Sequence, residues 1–85
     1  MYYVYVLKSR QYKWFYTGST NDLKRRIEEH NSGMVFASKP YIPLSLVYYE
    51  AGLNKNDALA REKYLKSGFG KKYLKHRLKN DLRSY

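Results

Sequence analysis

Two segments of the sequence set charged side chains among apolar ones, and each points to a chemistry. If residues 22–30 are helical, Leu23, Arg26, Ile27 and His30 fall within one narrow arc at 100° per residue. Lys24, Arg25, Glu28 and Glu29 point elsewhere. An arginine beside an apolar stripe either runs its stem along the core edge and reaches water, or aims its planar fork at a phosphate. A histidine at that place is either a helix-end contact or a titratable group of a site. In the second segment, Ala58, Glu62 and Leu65 share a helical face with Leu59 at its edge, so Glu62 is a carboxylate on the apolar side of a basic stretch. It either pairs with Lys66 at i+4, Arg61 being turned away, or binds a hard cation. Magnesium is often held by one or two carboxylates, with waters and substrate phosphate completing its shell.

The remaining acids say less. Glu50 reads as a strand-end residue, near a site or solvated, while Asp22 and Asp57 read as helix-start residues. Without a cluster of carboxylates a two-metal site is not expected. The sequence also holds no Gly-rich phosphate loop and no Ser-His-Asp set at workable spacing.

These groups need a scaffold. Tyr3 to Lys8 is β-branched and aromatic and predicts a strand, and Trp14 to Gly18 predicts a second, hairpin-paired to the first. Alternation puts Tyr3, Tyr5 and Leu7 on one face of the first strand, and Tyr16 and Gly18 on one face of the second. Such tyrosines are either ordinary sheet aromatics or part of a site beside Gly18, where a missing side chain lets another group approach the backbone. Ser19, Thr20 and Asn21 are cap candidates for a first helix running from about Asp22 to His30, and Asn31-Ser32-Gly33 ends it. Met34 to Pro43 predicts a loop and Leu44 to Glu50 a third strand. A second helix is predicted over Asp57–Lys66, and a last one over about Lys71–Leu82 with Leu74, Leu78 and Leu82 at i, i+4, i+8. The expected fold is α/β: a three-stranded, mostly antiparallel sheet flanked by three helices in the order β-β-α-β-α-α.

Eighty-five residues make one domain, 1–85. Seventeen basic residues against seven acidic ones give +10, which makes a polyanion the natural partner, although a solubility charge would look the same. No cysteine is present, so there is no disulfide or thiolate metal cage, which fits a reducing compartment. The start, Met1 to Lys8, lacks a basic leader and a small-residue cleavage site, and no stretch approaches a membrane span. A cytoplasmic protein without membrane contact is expected.

Tyr3-Val4-Tyr5, the eleven-residue step from Tyr5 to Tyr16, and Tyr16-Thr17-Gly18 resemble the paired motifs of GIY-YIG nucleases. Ser19 to Leu23 followed by Arg26 and His30 resembles the family's first helix, and Ala60-Arg61-Glu62-Lys63 its glutamate helix. The resemblance, to the nuclease domains of the excision-repair endonuclease subunit and of homing endonucleases, covers nearly the whole chain. It implies a metal-dependent endonuclease acting on nucleic acid, DNA ahead of RNA, in a setting such as DNA repair. Tyr5 and Tyr16 would order and activate the attacking water, Arg26 would contact the scissile phosphate, and His30 would assist proton transfer. Glu62 would hold one Mg²⁺ or Mn²⁺ ion. The first motif carries Tyr3-Val4 for Gly-Ile and the second Thr17 for Ile; Asn80 is the only late candidate for the family's asparagine.

Lys71, Lys72, Lys75 and Lys79, with Arg77 and Arg83, crowd the last helix. They are candidate phosphate contacts or simply a solvated basic face. The alternatives to an enzyme are a non-catalytic nucleic-acid-binding module on the same fold, or a subunit activated or targeted by a protein partner.

Overall fold

The computed structural model describes residues 1–82; Arg83, counted above among the basic residues, lies outside them. The order is β1 (Tyr2–Ser9), β2 (Phe15–Thr20), α1 (Leu23–Asn31), a 3₁₀ turn (Lys39–Tyr41), β3 (Leu44–Gly52), α2 (Lys55–Lys66) and α3 (Gly68–Arg77). The expected β-β-α-β-α-α order holds. The strands form one sheet, ordered β2-β1-β3, antiparallel throughout.

Both faces of the central strand are covered, which explains why β1 reads as a nearly continuous apolar run. Val4 and Val6 face Ala58 and Leu65 of α2 and Leu74 of α3, together with Leu78 and Leu82. Tyr5 and Leu7 face the other way, towards Leu23 and Ile27 of α1 and towards Trp14, Tyr16 and Tyr41. The sheet thus carries two cores, and β2 is an edge where they meet.

Several boundaries differ from expectation, each for a local reason. Strand β2 runs two residues further, because Ser19 and Thr20 pair with Val4 and Tyr3 instead of capping a helix. The cap of α1 is Asp22, whose carboxylate accepts from the Arg25 amide at 3.1 Å. Gly33 follows α1 at φ 83°, the left-handed geometry that closes a helix. Asn54, which accepts from the Asn56 and Asp57 amides, starts α2 two residues early. Ser67 ends α2 and caps α3 through the Gly70 amide, so α3 begins at Gly68. A Cβ on Gly70 would stand 2.0 Å from the Tyr64 carbonyl oxygen, so glycine is what lets the two helices cross this closely.

The last helix stops at Arg77 and not at Leu82. Lys79-Asn80-Asp81 includes two residues whose side chains compete with helical backbone bonding. The leucine spacing still predicts burial, since Leu78 donates to the Leu74 carbonyl and Leu82 to that of Leu78. All three leucines are buried. Among the described residues no helix is long and apolar enough to cross a membrane.

Candidate active site

The site is organised around Tyr5, at the middle of the central strand. Its cross-strand partner in β2 is Gly18. A Cβ on Gly18 would meet the Tyr5 hydroxyl at 2.6 Å and a Tyr16 ring carbon at 2.8 Å, so only glycine leaves room for both tyrosines. Tyr5 is fully buried, and its ring lies 6.2 Å from that of Tyr16.

Helix α1 lowers His30 onto this pair. The imidazole is 0% exposed, 4.8 Å from the Tyr16 ring centroid, with Nε2 2.8 Å from the Tyr5 hydroxyl. Its Nδ1 lies 2.6 Å from Ser38 Oγ, and Ser38 donates onward to the Val35 carbonyl at 3.4 Å. The roles of the two ring nitrogens are linked: in the tautomer with Nδ1–H donating to Ser38, Nε2 accepts from Tyr5. Burial, with the Arg26 charge, pushes His30 down to about 4, so the ring is neutral. Burial likewise pushes Tyr5 up to about 12, against the opposing pull of the Arg26 guanidinium.

Arg26 sits one turn before His30 and is half-buried. Its contact with Tyr5 holds its proton more firmly than usual, against the cost of burial, and Nη1 donates to Glu29 at 3.1 Å. Its head group thus lies between Tyr5 and Glu29.

Glu62 comes from the opposite side. Helix α2 packs on the Val4–Val6 face of the sheet and α1 on the Tyr5 face. Glu62 reaches the others by bonding Ser19 of β2, which donates at 2.5 Å, next to Gly18. Across this edge strand the Glu62 charge is close enough to act on Tyr5, against whose ring Tyr16 and His30 pack. Lys66 donates to the other carboxylate oxygen at 2.6 Å, and its ammonium lies 5.9 Å from the Tyr16 ring centroid. Burial works to raise the Glu62 carboxyl, but Lys66 and Ser19 outweigh it and hold it below the ordinary range.

Other residues fall elsewhere. Arg61 pairs with Glu50 of β3, so neither belongs to this site. Asn80 is exposed. Of the candidate lysines, Lys71 and Lys75 line a groove next to Tyr16, whereas Lys72 and Lys79 do not. Sequence reasoning missed Ser19 and Ser38. Ser38 sits in an aperiodic loop and gave no signal; Ser19 offered one, since its strand parity places it on the α2 side. Among the described residues no three of His, Cys, Asp and Glu cluster as a metal cage.

A family model described as the GIY-YIG catalytic domain matches residues 1–76. A UPF0213 protein of Clostridium perfringens (strain 13 / Type A) is 43% identical over 67 residues, covering 78% of this chain and 71% of the relative. A UPF0213 protein of Streptococcus pyogenes serotype M5 (strain Manfredo) is 42% identical over 65 residues, covering 75% of this chain and 70% of its own. No solved structure matches the chain at a significant level.

Proposed function

The chain belongs to the GIY-YIG family, and from that premise we propose that it is a metal-dependent nuclease hydrolysing phosphodiester bonds, with DNA ahead of RNA as substrate. The observation that carries this reading is the meeting of Tyr5, Tyr16, Arg26, His30 and Glu62 over one strand edge, with Tyr5 hydrogen-bonded to a neutral imidazole.

Whether the residues suit a divalent cation turns on Glu62. Its partners are one neutral hydroxyl and one ammonium on a flexible stem, both exchangeable, and among the described residues it belongs to no group of three or more His, Cys, Asp and Glu. That donor set fits a single hard ion, Mg²⁺ or Mn²⁺, completed by water and phosphate, with Glu62 as its protein ligand. Once bound, such an ion acidifies bound water and offsets charge on the phosphate.

The chain's own residues handle the proton. At about 12, Tyr5 is protonated at neutral pH and accepts a proton from water only by passing its own to His30 Nε2. Burial favours the neutral form of both groups, so that transfer is uphill and the imidazolium is a transient species. The relay then runs from water to Tyr5 to His30, with Ser38 holding the ring in the receptive tautomer. Tyr16 walls the position of the attacking water, and Arg26, beside Tyr5, neutralises charge gathering on the phosphate oxygens. We assign the protein to the cytoplasm, with targeting supplied by a protein partner or by nucleic-acid shape.

The test is cleavage of labelled single-stranded, duplex and branched DNA and of RNA, in magnesium or manganese. Parallel reactions contain EDTA or the Glu62→Ala and Arg26→Ala proteins. Cleavage abolished by EDTA and by both substitutions is the expected result. Wild type cutting no better than Glu62→Ala while still binding nucleic acid would favour the second reading, a non-catalytic or partner-activated binding module. The Lys66–Glu62 pair speaks for that reading, since it already neutralises the carboxylate.

A further inference from the structure

A groove runs along the outer edge of β2 towards the start of α3, opening beside Tyr16. Its walls are Trp14 and Phe15, with Lys13, Lys71 and Lys75 at its margin, Lys66 at the end nearest Glu62 and the buried Leu65 beneath. It encloses about 460 Å³, within the roughly 300–1,000 Å³ of ligand clefts. No carboxylate lines it. One wall is held rigidly: Trp14 stacks on Tyr41 at 4.0 Å between ring centroids and 11° between planes.

The combination is specific. Apolar walls with an aromatic surface suit a base that has left its stack, and lysines at the margin suit the phosphates on either side. A paired base in a duplex turns its flat face to its neighbours, not to the protein, and would leave those walls uncovered. The cleft on the other side of Ser19 differs: Asn21, Arg25, Arg26, Glu29 and Lys55 line it with Thr20, polar groups suited to backbone contacts.

We propose that the Trp14–Phe15 groove binds an unpaired nucleotide of a single-stranded segment, directly beside the phosphate to be cut. The substrate class is then nucleic acid that is single-stranded on the α3 side of the cleavage position. The groove recognises base and phosphate, common to DNA and RNA. The inference deepens the nuclease reading and rests on it for the position of the scissile phosphate.

The chain has one tryptophan, so Trp14 emission reports on this groove and on the Tyr16 and Tyr41 rings beside it. The full-length protein is titrated in EDTA, where no cleavage occurs, with a mixed-sequence single-stranded DNA, the same sequence as RNA, and a blunt hairpin duplex. The wild type is compared with the Lys13→Ala, Lys71→Ala, Lys75→Ala triple variant, all three sites being exposed. Both single strands are expected to quench Trp14 and to bind at least ~10-fold more tightly than the blunt duplex. Loss of three phosphate contacts should flatten the slope of log K against log salt by about 2, at roughly 0.7 per contact.

An unchanged Trp14 emission at saturation, equal affinity for the blunt duplex, or a wild-type salt slope in the triple variant overturns the proposal. A magnesium arm with Glu62→Ala separates the two readings. Metal-dependent cutting without quenching removes the groove and leaves the nuclease; quenching without cutting removes the nuclease and leaves the groove as a single-strand site.

Discussion

Helix α2 ties two partly buried carboxylates to cations. Glu50, on β3, takes Arg61 through three contacts of 3.0–3.1 Å, and Tyr48 adds a fourth at 2.7 Å. The guanidinium is in turn flanked by Tyr64 and Tyr73, with ring centroids 5.3 and 5.1 Å away. Glu62 has one serine hydroxyl and one lysine. Burial opposes ionisation of both, donors outweigh it, and both carboxyls end below the ordinary range. Their charge is therefore the same and their availability is not. A planar fork on a carboxylate, packed between rings, is a fixed geometry. An ammonium on four methylenes is a point charge that can turn to another anion. The first arrangement fastens β3 to α2, and the second keeps an anion ready for exchange.

The contrast breaks first on activity. Glu62→Gln should lower metal-dependent cleavage by at least ~10³-fold, about 4 kcal/mol of transition-state stabilisation. It should cost under ~1 kcal/mol of stability, because its i,i+4 lysine is half exposed. Single-turnover cleavage and urea unfolding on the same protein check both halves. A Glu62→Gln protein that cuts normally would make Glu62 as structural as Glu50.

The next largest effect is on pH dependence. His30 has an ordinary value of 6.5 and about 4 when folded, so between these values the unfolded chain binds the extra proton. Stability is then complete above about pH 7 and drains as pH falls through 6.5 towards 4. Between pH 7 and pH 5 the expected loss is about 2 kcal/mol. Glu50 and Glu62, held below 4.5, contribute stability above that pH and lose it only further down, so the window from 5 to 7 belongs to the imidazole. Urea unfolding at the two pH values measures it, and in His30→Gln the dependence should be gone. Arg26, Glu29, Tyr5 and Tyr16 surround the ring, and of these Arg26 and Tyr5, both raised above their ordinary values, keep their charge states across that window.

Glu50→Gln comes third. Breaking a fully buried pair costs ~3–5 kcal/mol, but Arg61 and Glu50 are about one-third exposed, which reduces the expected loss to about 1–2 kcal/mol. Cleavage below the new melting point should stay near wild type. A large fall in activity without a fall in stability would show that the bolt on β3 also serves the site.

How much of this was legible in the sequence follows from periodicity. Leu74, Leu78 and Leu82 signal burial even where the helix stops short, since a repeated spacing outlasts local distortion. Arg26 and His30 are visible for the same reason, each being off-pattern on an apolar arc. Ser38 is invisible: it acts from a loop, eight residues beyond His30, and no spacing rule brings it to the ring. Helical wheels show which side of a helix is apolar but not which face of the sheet it covers, so the placement of α1 and α2 on opposite faces is legible only once the strands are ordered. Glu50 and Arg61, eleven residues apart on different elements, were each read locally, and their pairing follows only once β3 lies against α2.

The smallest expected effect tests exchangeability itself. If Lys66 stands in for a divalent cation at Glu62, removing its charge should tighten cation binding even without substrate. Two charges in contact interact by ~1 kcal/mol in water and ~4 kcal/mol at an effective dielectric of 20. Lys66 is half exposed, which places the effect near the lower figure. Lys66→Met, which keeps the stem, should therefore bind Mn²⁺ about five- to tenfold more tightly, read from the loss of free-ion EPR signal in the absence of nucleic acid. Arg61→Met, removing the same charge one residue before Glu62, should leave Mn²⁺ binding unchanged, because its fork is committed to Glu50. Equal tightening in both variants would mean that only net charge matters, and the difference between a fixed and an exchangeable partner would carry no consequence for the site.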